Sequence, residues 1–220
     1  MGDLDRFIAA RLYVITCPPA GGPEGYSAMV EAACAGGTDV VQFRDKNLPW
    51  KQRYEIAGQL RKICMKHSTL FIVNDATDLA LAVQADGVHL GQEDLPLAAA
   101  RELVKRAGRS DFLIGQSTHS LEQALEAERQ GADYIGIGPV FATPTKPTYQ
   151  PVGLELVRQV TSRVKTPHVA IGGIDAGNVE QVLAAGARRV AVVRAICGAE
   201  NIQAAARRMK SILEGSKVSV

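Results

Sequence analysis

Short, nearly continuous apolar runs alternate along the whole chain with longer segments whose apolar residues recur at helical spacing. The runs are Leu12–Thr16, Val40–Arg44, Leu70–Asn74, Gly87–Gly91, Phe112–Ser117, Tyr134–Pro139, His168–Gly173 and Val190–Arg194, eight in all. Phe71-Ile72-Val73 and Val190-Ala191-Val192-Val193 carry no polar alternation. Strands buried on both faces read this way, as in a parallel sheet covered by helices. Between the runs, Ala57, Leu60, Ile63 and Cys64 lie at helical spacing, as do Leu121, Ala124, Leu125 and Ala132. Residues Asn178 to Ala185 and Ile202 to Leu213 continue the theme, while Gly36-Gly37, Gly131 and Gly186 stand where helices should end. Eight β/α units predict an α/β fold of the (β/α)₈ (TIM) barrel type, a fold of roughly 250 residues. An open doubly wound sheet is the alternative, but it usually has fewer strands.

The 220 residues suit one domain, with a barrel core over about 11–213 and a flexible tail over 214–220. A hydrophobic share of 46% and a net charge of +2 argue against a general nucleic-acid or membrane binder, so any basic site must be local. The N-terminus lacks the apolar core of a signal peptide and no run approaches a membrane span, which makes the cytoplasm the expected location. Cys17, Cys34, Cys64 and Cys197 are scattered without metal-ligand spacing and read as reduced packing thiols. A homo-oligomer is compatible with the sequence.

A barrel of this kind places its chemistry where the strands end. Those ends carry Gln42-Phe43-Arg44-Asp45-Lys46, Asn74-Asp75, His89 to Asp94, Gln116-Ser117-Thr118-His119, Thr143-Pro144-Thr145-Lys146, Gly172-Gly173 and Val193-Arg194. Arg44, Lys46 and Lys146 supply cations; Asp75 and Asp94 supply carboxylates on neighbouring strands. Hard oxygen donors of that kind suit one Mg²⁺, completed by substrate phosphate and water, and together they would clamp a departing polyphosphate. Gly172-Gly173 and Val193-Arg194 suggest a second, phosphate-monoester site. Bland readings stand beside these. Asp75 or Thr77 suits a helix N-cap, and so does Asp94 with Pro96 near the first turn. His89 reads as a structural histidine, His119 as a cap or a pocket residue, His67 and His168 as structural, and Trp50 as packing. The segment Thr143–Tyr149 is the leading candidate for a lid.

The ordered set Gln42-Phe43-Arg44-Asp45-Lys46, Val73-Asn74-Asp75, Gly87 to Asp94, Gly138 to Lys146 and Ile171-Gly172-Gly173-Ile174 resembles the thiamine-phosphate synthase family. The resemblance implies transfer of the aminopyrimidine methyl group from 4-amino-5-hydroxymethyl-2-methylpyrimidine diphosphate to the nitrogen of hydroxyethylthiazole phosphate, with release of pyrophosphate. It places magnesium on Asp75 and Asp94. Pyrophosphate falls to Arg44, Lys46, Asn74, Ser117 and Lys146, and the pyrimidine to Gln42. Thiazole phosphate falls to Thr143, Thr145, Gly173 and the backbone at Val193 and Arg194. Arg194 stands where the family often has serine, and its fork of donors would either strengthen that site or point away. A thiazole tautomerase on the same scaffold would lack the paired acidic site, and a non-catalytic phosphate-ligand sensor would tolerate loss of Asp75 or Lys146.

Overall fold

The computed structural model describes residues 2–143 and 150–215. The chain opens with α1 (Asp3–Ala9) and continues through β1 (Leu12–Ile15), α2 (Gly25–Ala35), β2 (Val40–Phe43), α3 (Trp50–Lys66), β3 (Leu70–Asn74), α4 (Thr77–Ala82) and β4 (Gly87–Leu90). It then runs through α5 (Leu97–Arg106), β5 (Leu113–Thr118), α6 (Leu121–Arg129), β6 (Tyr134–Ile137), α7 (Gly153–Arg163), β7 (His168–Ile171), α8 (Val179–Ala184) and β8 (Val190–Val192). The short α9 (Arg194–Cys197) and α10 (Ile202–Gly215) complete it. All eight strands pair in parallel with their sequence neighbours, and β8 closes on β1. This is the (β/α)₈ barrel.

The strands differ from the apolar runs mainly at their ends. Most stop one or two residues earlier, because the next residues leave the ladder to build the mouth. The Arg44 amide, for example, is taken by the Thr16 hydroxyl at 3.0 Å. Strand β5 instead starts after Phe112 and continues through Thr118.

Two apolar layers result. The larger fills the space between barrel and helices. The smaller lies inside the barrel and contains Phe7, Tyr13, Ile15, Val40, Leu70, Ile72, Leu113, Tyr134, Val169 and Ala191. Helix α1, which the periodicity did not predict, sends Phe7 into this interior layer, where its ring meets Tyr134 at 4.2 Å between centroids. Arg189 fixes α1 by donating to the carbonyls of Phe7 and Ile8.

Carboxylates staple the strand starts. Asp39 accepts from the amides of Arg11 and Leu12, Asp86 from Phe71, and Asp133 from Ile114. Each precedes an even-numbered strand and bonds the neighbouring odd one, and each has a cationic partner in Lys210, Arg61 or Arg101 respectively. Such staples satisfy ladder amides at the rim. Trp50, expected to pack, stands half exposed on the first turn of α3, with the Arg53 guanidinium 5.6 Å from its ring centre. Among the described residues no helix is long and apolar enough to cross a membrane.

Candidate active site

Side chains alternate along a strand, so the final inward residue of each strand surrounds the mouth of the barrel. Gln42, Asn74, His89, Ser117 and Ile171 line a cavity of about 570 Å³ there, together with Arg44, Thr143, Gly173, Val193 and Arg194 from beyond the strand ends. Gln42, Arg44, Asn74, Ser117, Thr143, Gly173, Val193 and Arg194 of the expected set therefore meet in one place, whereas Lys46, Asp75 and Asp94 do not line it. Thr145 and Lys146 lie outside the described residues, as does most of the expected lid.

The loop after β2 is shaped by a residue that sequence reasoning passed over. Asp45 is buried, accepts a 2.6 Å hydrogen bond from the Tyr26 hydroxyl, and accepts the amides of Asn47 and Leu48 at 2.8 and 3.0 Å. Burial alone would raise its pKa; these donors and the Arg53 charge hold it below the usual carboxylate range. Arg44 and Lys46 flank it and are carried by the loop it organises.

Lys46 reaches Asp75, Nζ to Oδ2, at 3.2 Å. Asp75 has φ 63°, a left-handed conformation uncommon for a residue with a Cβ. Its amide donates to the His89 carbonyl at 2.8 Å, and the turn brings its carboxylate against that of Asp94. Burial and the Asp94 charge raise the Asp75 pKa, with Lys46 opposing. Asp94 is aimed by the Gly91 amide, which donates to Oδ2 at 2.6 Å; a Cβ on Gly91 would sit 2.8 Å from that same oxygen. Neither acid is a helix cap. Helix α4 starts after Ala76 and α5 after Pro96, both without a capping side chain. The cap reading of Asp75, Thr77 and Asp94 is thereby corrected: these turns spend the carboxylates on each other, on Lys46 and on Gly91. The pair lies beside the cavity wall, adjoining Asn74, rather than on it. Among the described residues no third His, Cys, Asp or Glu joins it. Two crowded hard carboxylates fit the oxygen donor set of a divalent cation such as magnesium.

At the opposite side, Gly172 and Gly173 have φ of 104° and 64°. A Cβ at 172 would come within 2.5 Å of Pro139, and one at 173 within 2.7 Å of the Ala142 carbonyl. The pair is glycine because the loop after β6 lies directly over it. Val193 caps the four-residue α9, which begins with Arg194. The Arg194 side chain is exposed, and its charge reaches the Cys17 thiol. Cys197 first, then Arg194, lower the Cys17 pKa to about 7 against the effect of burial.

Both histidines of the strand ends belong to the cavity. His119 is not a cap, since Ser120 accepts the Gln123 amide at the start of α6; its Nδ1 meets the Gly138 carbonyl. His89 points into the barrel and is bonded through Nε2 to Ser117 Oγ at 2.9 Å and through Nδ1 to the Tyr134 hydroxyl at 3.1 Å. Tyr134 meets the Tyr13 hydroxyl at 3.1 Å, and Gln42 Nε2 donates to Tyr13 at 2.8 Å. Tyr13 and Tyr134 were missed as functional candidates. A signal was present in Gly115 and Gly136: glycine inside a strand marks close approach. A Cβ at 115 would lie 2.1 Å from Tyr134 Cζ, and one at 136 would lie 3.2 Å from His89 Cε1.

A family model described as Thiamine monophosphate synthase matches residues 12–196. The chain is 54% identical over 201 residues to a Gloeobacter violaceus thiamine-phosphate synthase, covering 91% of this chain and 57% of that protein. It is 45% identical over 204 residues to the Chloroflexus aurantiacus thiamine-phosphate synthase, covering 92% of each. The chain thus spans a little over half the length of the first relative and nearly all of the second. Among solved structures, a Pyrococcus furiosus thiamine phosphate pyrophosphorylase superposes with a TM-score of 0.84 at 41% identity, covering 94% of this chain and 96% of that one. The matched stretch includes every strand of the barrel and all described residues that line its mouth except Gly198, so the chain belongs to the thiamine monophosphate synthase family.

Proposed function

We propose that this chain makes thiamine phosphate, joining the aminopyrimidine methylene of 4-amino-5-hydroxymethyl-2-methylpyrimidine diphosphate to the ring nitrogen of hydroxyethylthiazole phosphate and releasing pyrophosphate. The observation that carries the reading is a single mouth with two dissimilar ends. One end carries Arg44, Asn74 and Ser117, next to Asp75 with its partners Lys46 and Asp94; the other carries Thr143, Gly173, Val193 and Arg194. Two anionic groups on two substrates would occupy such a site.

In this reading Asp75 and Asp94 hold one magnesium ion, which when bound would offset their mutual repulsion and part of the diphosphate charge. Arg44 and Lys46 bind the diphosphate and stabilise the charge it gathers as its bond to carbon lengthens. The Ser117 hydroxyl and the Asn74 amide orient it. The family resemblance adds Lys146 to this group and Thr145 to the thiazole end. The aminopyrimidine ring itself spreads positive charge from the methylene carbon, so no enzyme nucleophile is required. The thiazole nitrogen carries no proton, so no base is required either. Gly173, Thr143 and the Val193–Arg194 backbone contribute by holding that nitrogen in line with the carbon.

The test is incubation of the purified chain with both phosphorylated precursors, with and without a chelator, followed by detection of thiamine phosphate and pyrophosphate. Formation of both, lost on chelation and restored by magnesium, is expected. Product formation indifferent to chelator would remove the ion; absence of product would remove the reaction.

A further inference from the structure

Beneath the mouth, Gln42, Tyr13, Tyr134, His89 and Ser117 form one unbroken chain of hydrogen bonds, with links of 2.8, 3.1, 3.1 and 2.9 Å. Gln42, His89 and Ser117 line the cavity, while Tyr13 and Tyr134 between them are buried. Burial keeps both phenols protonated, raising their pKa values well above the ordinary tyrosine range. Each phenol has one proton and a neutral imidazole has one N–H. The protons along the chain therefore all point one way or all point the other.

The two arrangements present opposite faces to a ligand. In one, Gln42 donates to Tyr13, Tyr13 to Tyr134, Tyr134 to His89 Nδ1 and His89 Nε2–H to Ser117. Ser117 then offers its own O–H to the cavity, and Gln42 offers its carbonyl Oε1. In the reverse arrangement Ser117 turns lone pairs outward and Gln42 turns its NH₂ outward. An anionic oxygen at Ser117 is compatible only with the first. We infer that this chain is a specificity device: the diphosphate end of the pyrimidine substrate, bound at Ser117, fixes through His89, Tyr134 and Tyr13 the Gln42 amide as an acceptor, which selects a ring amine over a ring carbonyl. Tyr13, Tyr134 and His89 are positioning residues in this account, acting through Gln42 and Ser117. The inference rests on the function proposed above and deepens it.

The packing supports a built element. The Tyr134 ring lies between Phe7 and the Cβ-free Gly115, and the His89 ring lies against Gly136 and 5.3 Å from the Tyr134 ring centre. These contacts hold the polar atoms in register without using them.

The experiment compares wild type, Tyr13→Phe and Tyr134→Phe with the 4-amino pyrimidine diphosphate and its 4-oxo counterpart, each with thiazole phosphate and magnesium. Phenylalanine keeps the ring packing and removes the link. Each variant is expected to lose about tenfold or more of the amino-over-oxo preference, the worth of one oriented hydrogen bond. The loss should fall on KM for the amino substrate, with KM for thiazole phosphate unchanged. A merely structural role would weaken both pyrimidines alike, and an unchanged preference in folded variants overturns the inference while leaving the proposed function standing. No pyrophosphate release by wild type with either pyrimidine overturns the proposed function and this inference with it. Nitrogen-15 NMR of wild type saturated with inorganic pyrophosphate needs no variant: His89 should be neutral with its proton on Nε2 and Nδ1 bare, and either the opposite tautomer or a doubly protonated ring overturns the inference.

Discussion

Gly115→Ala is the smallest change that should break the interior of this barrel. The added methyl would lie 2.1 Å from Tyr134 Cζ and 2.5 Å from both Cε atoms. Carbon atoms pack at about 3.5–4.0 Å, so the ring must retreat by more than about 1 Å. It has nowhere to go, because Tyr134 is fully buried and Phe7 lies 4.2 Å behind it between ring centres. Overpacking of this kind costs about 1–3 kcal/mol. Alanine also restricts the unfolded chain, which returns about 0.4–1 kcal/mol. The net expected loss is about 1 kcal/mol, read from the urea midpoint at unchanged slope. Tyr134→Leu alone should cost about 3 kcal/mol, since it removes a buried ring and strands two hydrogen-bond partners. Because leucine vacates the space the methyl needs, the double variant should be less unstable than the sum by about 1 kcal/mol or more. A Gly115→Ala protein within about 0.5 kcal/mol of wild type, or strict additivity in the double variant, would refute the packing argument.

Other residues make equally definite predictions. Asp45→Ala leaves the Tyr26 hydroxyl and the Asn47 and Leu48 amides without their acceptor; it should cost about 3 kcal/mol in urea unfolding and raise KM for the pyrimidine diphosphate far more than for thiazole phosphate. His168 is held neutral, chiefly by burial, which lowers its pKa below the ordinary imidazole value of about 6.5. The unfolded chain therefore takes up this proton first as pH falls, so stability should be intact above about 6.5 and decline below it, and His168→Gln should flatten that part of a stability–pH series. Asp75→Ala and Asp94→Ala should each lower pyrophosphate release at limiting magnesium by about 10²–10³; near-wild-type rates in both would remove the metal assignment. Lys146→Ala should reduce turnover more than thiazole affinity, as steady-state kinetics with thiazole phosphate varied would show, and a pure affinity effect would move Lys146 to the other substrate.

The architecture was readable because every strand of a closed parallel barrel is covered on both faces, which leaves short apolar runs without polar alternation, such as Val190–Val192. Strand ends were misread for a related reason. Residues such as Arg44 and Gly172-Gly173 continue the run in sequence, but their backbones turn out of the ladder to serve the mouth. The site residues that announced themselves were the polar ones, since a charge or amide at a strand end has no packing explanation. Tyr13 and Tyr134 hid because tyrosine is a good strand former, and a strand without polar alternation does not say which residues face inward. His89 was ambiguous for the same reason.

What breaks that ambiguity is glycine. A strand position that faces the barrel axis and carries no side chain costs β propensity and core contacts, and it repays that cost only if a neighbour occupies the space. Gly115 and Gly136 are adjacent to each other across β5 and β6 up to a stagger of two residues, since Gly115 pairs with Tyr134 and Ser117 pairs with Gly136. That register, with His89 paired to Gly115 across β4 and β5, places Tyr134 over Gly115 and His89 over Gly136. Once the strand order is known, the two glycines identify the bulky inward residues, and the only polar atoms those residues can offer one another are the ones that link Gln42 to Ser117. The hydrogen-bonded chain is thus a consequence of the same close packing that makes the barrel interior solid, which is why a substitution that disturbs the packing at Gly115 should also register in the selectivity of the mouth.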